Sequence, residues 1–309
     1  MSEGQPIVIL TALNLEYNAV RALLTDLRLH THPAATRFEV GQLATNGRSV
    51  ALALAGRGNH GAAVIAERAI AEFAPPAVLF VGVAGGLRRQ IELGDVVVAT
   101  HVYAYHGGTG EDDGLKARPR VLEIQHGADQ IAHHVERVGG WEPRAAGRHR
   151  SPKVHFGPIA AGEVVQYSTT SEQARWLRQH YNDALAVETE GAGVAQAAHL
   201  NGALPVVVVR GISDRADGSK ENTDRAGWQK RAAANAAAFA TALVDDLARL
   251  GGSGAHPTGS EPRSGDGEPR SGDGEQAMRN ENVANGDSTV GVQAQVVHDA
   301  RVTLERPQP

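Results

Sequence analysis

Val206-Val207-Val208-Val209-Arg210-Gly211-Ile212-Ser213-Asp214 is a short apolar run that ends on an acid. A β-branched run of this kind reads as a strand buried on both faces, the kind a parallel sheet contains. Upstream, Ala186-Val187-Glu188-Thr189-Glu190-Gly191-Ala192 repeats the arrangement: a short apolar segment, then carboxylates. In a parallel sheet, acids at the carboxyl ends of neighbouring strands converge on one crevice, where such sheets hold ligands. The two stretches together point to an active site built on an α/β fold.

Outward from this pair, strands alternate with helical patterns up to about Leu250. Ile7 to Ala12, Ala77 to Val83, Asp95 to Tyr103, Val154 to Ala161 and Leu204 to Ile212 read as strands. Leu15 to Leu27, Gly61 to Phe73, Ser171 to His180, Glu190 to Leu200 and Thr223 to Leu250 have helical spacing or alanine-rich helical composition. Phe38 to Ala44 and Ser49 to Ala55 flank an Asn-Gly turn and read as a hairpin. The Gly- and charge-rich stretch from His106 to Arg120 reads as a mobile loop. This order predicts a mixed but largely parallel sheet covered on both faces.

The 309 residues carry a net charge of −5 with dispersed Lys and Arg, and include no cysteine. That pattern lacks the basic stripe of a nucleic-acid binder and excludes disulfides, thiol catalysis and zinc-thiolate sites. No recurrent metal-ligand spacing appears among the histidines. Neither a signal peptide nor a membrane-length apolar run is evident, so a soluble, cytoplasmic protein without membrane or nucleic-acid partners is expected.

After Gly251 the composition shifts. Glu261-Pro262-Arg263-Ser264-Gly265-Asp266-Gly267 recurs unchanged as residues 268–274. Such repeats cannot bury enough apolar area to offset chain entropy. Three regions are therefore expected: a folded domain over 1–250, a linker over 251–287, and a β-prone segment over 288–304. That last segment is either a frayed end or a self-assembly motif; Gly291 to His298 weakly resembles short amyloid-type signalling motifs appended to bacterial effector domains.

Gly56-Arg57-Gly58-Asn59-His60-Gly61 fits G-x-G-x-x-G, but it follows a hairpin arm, and no acid ends the next strand to hold a ribose. It reads instead as a tight turn whose amides face the crevice at a helix start. Gly82-Val83-Ala84-Gly85-Gly86 ends the next apolar strand and lets a ligand approach the backbone. Glu188 and Glu190 are either helix-capping acids or sugar-binding carboxylates facing a cationic transition state. Asp214, at the end of its strand, is a candidate proton donor, and Glu16 lies near the same edge.

Taken in order, Thr11 to Glu16, Val83 to Gly86, Leu93 to Val97, Val187 to Glu190 and Val209 to Asp214 resemble the nucleoside phosphorylase/uridine phosphorylase superfamily. Within it, the chain looks most like the methylthioadenosine/S-adenosylhomocysteine nucleosidases. The resemblance implies a three-layer α/β/α fold and cleavage of a purine N-glycosidic bond without cofactor or metal, by a homodimer or higher homo-oligomer. It assigns Asp214 to protonation of the purine N7, Glu190 to the ribose 2′- and 3′-hydroxyls, and Glu16 and Arg210 to the attacking water. Glu188, Thr189, Val83, Gly85, Val165 and Ser213 complete the expected substrate-binding set. Val165 stands where the nucleosidases stack an aromatic residue on the base, and Val83 where a hydroxyl residue is usual; Tyr103 or Tyr105 is the alternative source of a ring. Asn14-Leu15-Glu16 follows the first strand without an arginine, which favours water over phosphate as acceptor, while Arg57 keeps a phosphorylase open.

Overall fold

The computed structural model describes residues 4–252 except 113, 144–149, 167, 219–222 and 224–225. The expected linker beyond residue 252 and the β-prone segment lie outside the described residues. The strands are β1 (Ile7–Thr11), β2 (Leu24–Thr31), β3 (Arg37–Leu43), β4 (Ser49–Leu54), β5 (Val78–Gly86), β6 (Val96–Ala104), β7 (Gly108–Glu111), β8 (Gly114–Ala117), β9 (Arg120–Glu123), β10 (Val154–Ala161), β11 (Ala186–Glu188) and β12 (Val206–Asp214). The helices are α1 (Asn14–Arg21), α2 (Asn59–Phe73), α3 (His126–Val138), α4 (Glu172–His180), α5 (Gly191–Leu200), α6 (Trp228–Ala242) and α7 (Val244–Gly252).

The main sheet runs β11-β10-β6-β12-β5-β1-β4-β3-β2, with β9 paired to β6. Its middle is parallel: β12 pairs β5, β5 pairs β1, and β1 pairs β4 in the same direction. Alternation along β1 sends Ile7 and Ile9 to one face and Val8 and Leu10 to the other, all buried. On the first face they join Val207 and Val209 and residues of α1, α3, α6 and α7. On the second they join Phe80, Val208, and the alanines of α2 and α5. Each such aliphatic side chain contributes about 1.5–3 kcal/mol of burial. The result is the expected three-layer α/β/α fold with a mixed, largely parallel sheet.

Small residues let the helices press close to the site. A Cβ on Gly211 would overlap the Ala232 backbone of α6, and one on Gly193 would overlap Asn59 at the start of α2. No helix among the described residues is long and apolar enough to cross a membrane.

Three expectations are corrected. The helix predicted over Leu15 to Leu27 stops at Arg21, and Leu24 opens the edge strand β2, with Asp26 at φ 54°. The stretch from His106 to Arg120 is not a plain loop: β7 and β8 pair as an antiparallel hairpin there, and Arg120 begins β9. The single long helix expected from Thr223 is two, α6 and α7, meeting at the buried pair Leu243 and Val244.

Candidate active site

Asp214, Glu188 and Glu190, Glu16, and the turn at Gly85 all line one cavity at the carboxyl ends of β12, β11, β1 and β5. Val83, Thr189, Ser213 and Val165 line it too, beside Leu13, Arg57, Val164, Gln166 and Gln229. Arg210 lies deeper, fully buried behind this lining.

Glu16 sits in the first turn of α1, with its carboxyl group turned back under the end of β1. Oε2 accepts the amides of Ala12 and Leu13, both at 2.9 Å, and Oε1 accepts the Val83 amide at 2.8 Å. A carboxylate oxygen has two lone pairs, so Oε1 keeps one acceptor site. Burial raises the Glu16 pKa above its ordinary value near 4.5, against the opposing pull of Arg210 and the three amides. The group is thereby brought closer to the range of a general base at neutral pH.

Arg210 rises from β12, where Gly82 is its partner on β5. Its guanidinium lies 4.0 Å from the centroid of the Phe80 ring, a cation–π contact in a dry setting. Nη2 donates to Glu188 and lies 3.8 Å from Glu190 Oε2. Nε and Nη1 are buried with no hydrogen-bond partner among the described residues. A Cβ built on Gly82 would overlap Nη1 and come within 2.5 Å of Glu16 Oε1. Gly82 is what lets the arginine and the glutamate meet over the strand.

The two neighbouring glutamates are held differently. Glu188 accepts the Glu190 amide at 3.1 Å and the Gly191 amide at 2.9 Å, and pairs with Arg210. Burial raises its pKa, with the charge of Glu190 adding to that, against Arg210 and the amides. Glu188 thus anchors the start of α5 and the guanidinium. Glu190 accepts the Gly58 amide at 3.1 Å and the Thr189 hydroxyl, both on Oε1. This leaves Oε2 pointing toward Arg210 and the cavity. The turn at Gly56 and Gly58, with φ of 78° and 90°, therefore gives its amide to an acid rather than to a dinucleotide.

At the opposite end, Asp214 Oδ2 accepts the Ser213 hydroxyl at 2.9 Å and Oδ1 accepts the Ala216 amide at 2.9 Å. A Cβ on Gly85 would stand 3.0 Å from Oδ1, so that glycine clears the approach to the acid. Val164 and Val165 are about half exposed at the rim. Neither tyrosine suggested as a stacking ring lines the cavity: Tyr103 donates to Asp183 at 2.9 Å, and Tyr105 is buried in a separate cluster with Tyr181 and Leu177.

Several contributors escaped the sequence reading. The amides of Ala12 and Leu13 carry no side-chain signal, and Phe80 is one apolar residue in an apolar strand. Gln229 comes from the first turn of α6, far along the chain.

Residues 6–245 match the family model of the phosphorylase superfamily. A 5′-methylthioadenosine/S-adenosylhomocysteine nucleosidase of Maridesulfovibrio salexigens is 30% identical over 204 residues, covering 65% of this chain and 84% of that protein. An ATP nucleosidase of Escherichia coli is 26% identical over 242 residues, covering 70% of this chain but 47% of that protein. Among solved structures, the 5′-methylthioadenosine/S-adenosylhomocysteine nucleosidase of Neisseria meningitidis in complex with methylthio-immucillin-A is 27% identical with a TM-score of 0.64. The match spans 78% of this chain and 98% of that one.

Proposed function

From the premise that this chain belongs to the phosphorylase superfamily, we propose that it is a nucleosidase that hydrolyses the N-glycosidic bond of a purine (thio)nucleoside. The relatives are named for methylthioadenosine, adenosylhomocysteine and ATP, and each of these compounds joins adenine to ribose. The reading rests on one observation above the others: the Glu16 carboxyl group, fixed by three amides, shares the space over Gly82 with the unpartnered Nη1 of Arg210.

Bond cleavage at the anomeric carbon passes through an oxocarbenium-like cation, as in glycoside hydrolysis. Asp214, oriented by Ser213 and the Ala216 amide, donates a proton to N7, so the base leaves neutral. Glu190 binds the 2′- and 3′-hydroxyls through Oε2. Water takes the remaining acceptor site on Glu16 Oε1, with the Arg210 charge behind it; the glutamate takes its proton as the oxygen attacks the anomeric carbon. Glu188 acts through Arg210 as a positioning residue. The cavity walls hold Glu16, Glu188 and Glu190 against one buried arginine. Preorganised negative charge of that kind favours a cationic transition state over the neutral substrate.

The same charges argue against phosphate as the nucleophile. A phosphate at the water position would face the Glu16 carboxylate, and Val83 offers it no hydroxyl. Incubation with methylthioadenosine, adenosylhomocysteine and inosine, with and without phosphate, tests the proposal. Free base and free sugar in phosphate-free buffer are expected; strict phosphate dependence would make the enzyme a phosphorylase, and base release neither from these compounds nor from purine nucleotides under either condition would remove the enzymatic reading.

A further inference from the structure

The crevice has a direction. Strands β12, β5, β1 and β4 lie side by side in that order, and their ends deliver Asp214, Val83, Glu16 and Arg57 in turn. Three strand spacings, roughly 14 Å, separate the first from the last. This inference rests on the nucleosidase reading, in which the base lies at Asp214 and the attacked carbon near Glu16. The 5′ substituent of the ribose then extends away from the base, toward β4 and Arg57.

Arg57 is exposed at the cavity wall and has no hydrogen-bond or ion-pair partner among the described residues. Its neighbour Gly58 donates its amide to Glu190, so the arginine is tied by one residue to the group that holds the ribose. A guanidinium left unpaired in that wall is suited to an anion brought by the ligand.

A second cavity is lined by the next residues of the same segments: Asn59 and His60 after the turn, Gly162 and Glu163 before Val164, and Ala192 and Gly193 after Glu190. His60, His106, Arg118 and Arg120 line it, against the single acid Glu163. Arg118 donates to the Ala117 carbonyl and Arg120 to the Gln196 side chain, so neither is spent on a carboxylate. Glu163 itself is engaged by Asn59 at 2.9 Å and lies 3.9 Å from His60.

We infer that the preferred substrate carries an anionic 5′ substituent, a nucleoside 5′-phosphate or polyphosphate, with its first phosphate on Arg57 and any further phosphates toward Arg118 and Arg120. Inorganic phosphate offers the same oxygens, but as a nucleophile it would have to reach the carbon beside Glu16 rather than the β4 end.

The test is kcat/KM for adenosine, inosine, their 5′-mono- and triphosphates, and methylthioadenosine. Each is measured in phosphate-free buffer and with added inorganic phosphate, for the wild type, Arg57→Gln and Arg57→Lys. The phosphorylated substrates should exceed the parent nucleosides by tenfold or more, the worth of about one hydrogen bond to a charged group. That ratio should fall toward one in Arg57→Gln and be largely kept in Arg57→Lys. Equal kcat/KM for nucleoside and nucleotide, or an equal loss on all substrates in Arg57→Gln, would overturn this inference and leave the nucleosidase reading standing. Turnover that requires inorganic phosphate and yields sugar 1-phosphate would reassign Arg57 to the nucleophile. Base release from none of the compounds would overturn both readings.

Discussion

Replacing Glu16 by Gln tests the reaction and the fold at one atom. The amide keeps the shape of the carboxyl group but has a single acceptor oxygen. With that oxygen toward Ala12 and Leu13, the NH2 group faces the Val83 amide and Arg210 Nη1, and one buried donor loses its acceptor. With the amide reversed, two donors lose theirs. The first arrangement is the less costly, at about 1–3 kcal/mol for a buried unsatisfied group. Neutralising a carboxyl group whose pKa burial has raised offsets part of that cost. A melting temperature lower by only a few degrees is therefore expected, since about 1 kcal/mol moves a domain of this size by roughly 2–4 °C. The effect on turnover should be far larger. Loss of the base that activates water removes about 10²- to 10⁴-fold from kcat, or roughly 3–5 kcal/mol of barrier lowering. The assay is base release from methylthioadenosine or the preferred nucleotide below the melting temperature, with circular dichroism on the same sample. A folded Glu16→Gln enzyme within tenfold of the wild-type kcat would refute Glu16 as the base.

Two further substitutions probe what holds the site. Gly82→Ala places a methyl group on Arg210 Nη1 and against Glu16; because Glu188 and Phe80 pin the guanidinium, a cost of about 1–3 kcal/mol in urea unfolding and a loss of turnover are expected together. Asp95 binds the start of β10 to β6. Its pKa is pushed up by burial, but hydrogen bonds from His155, the Lys153 and Glu92 amides, and Arg150 bring it down to about 2. A carboxyl group lowered from 3.8 stabilises the fold above that value and loses its contribution as pH falls toward 2. Asp95→Asn should thus lower stability by about 2 kcal/mol at pH 7, with the gap to wild type closing in acid; a gap that persists at pH 2 would count against the pairing.

Much of this architecture was legible in the sequence because the parallel strands are short, apolar and end in chemistry. Val206 to Asp214 and Ala186 to Glu190 announced both their burial and their acids. Strand β2 was not legible, because an edge strand with mostly exposed residues lacks the alternation that a half-buried strand shows. Val20, Leu23, Leu24 and Leu27 mimic one helical face across its start. The β7–β8 hairpin, largely exposed, hides for the same reason. The break between α6 and α7 has no Gly or Pro to mark it; both Leu243 and Val244 are drawn into the core. Within the site, the side chains that converge were readable as strand-end acids. The division of labour between Glu188 and Glu190 was not, since it depends on which backbone amides each accepts. The place of Arg57 follows from β4 lying beside β1, and that order belongs to the sheet rather than to any local motif.

In the proposed reaction, water activated by Glu16 attacks the anomeric carbon. Hydrolysis run in phosphate-free H2¹⁸O, with mass spectrometry of the sugar product, tests it most directly. One ¹⁸O per sugar released is expected, read before the free sugar exchanges its anomeric oxygen, with unchanged turnover when phosphate is withheld. Base release that stops without phosphate, with sugar 1-phosphate as the product when phosphate is restored, would contradict it.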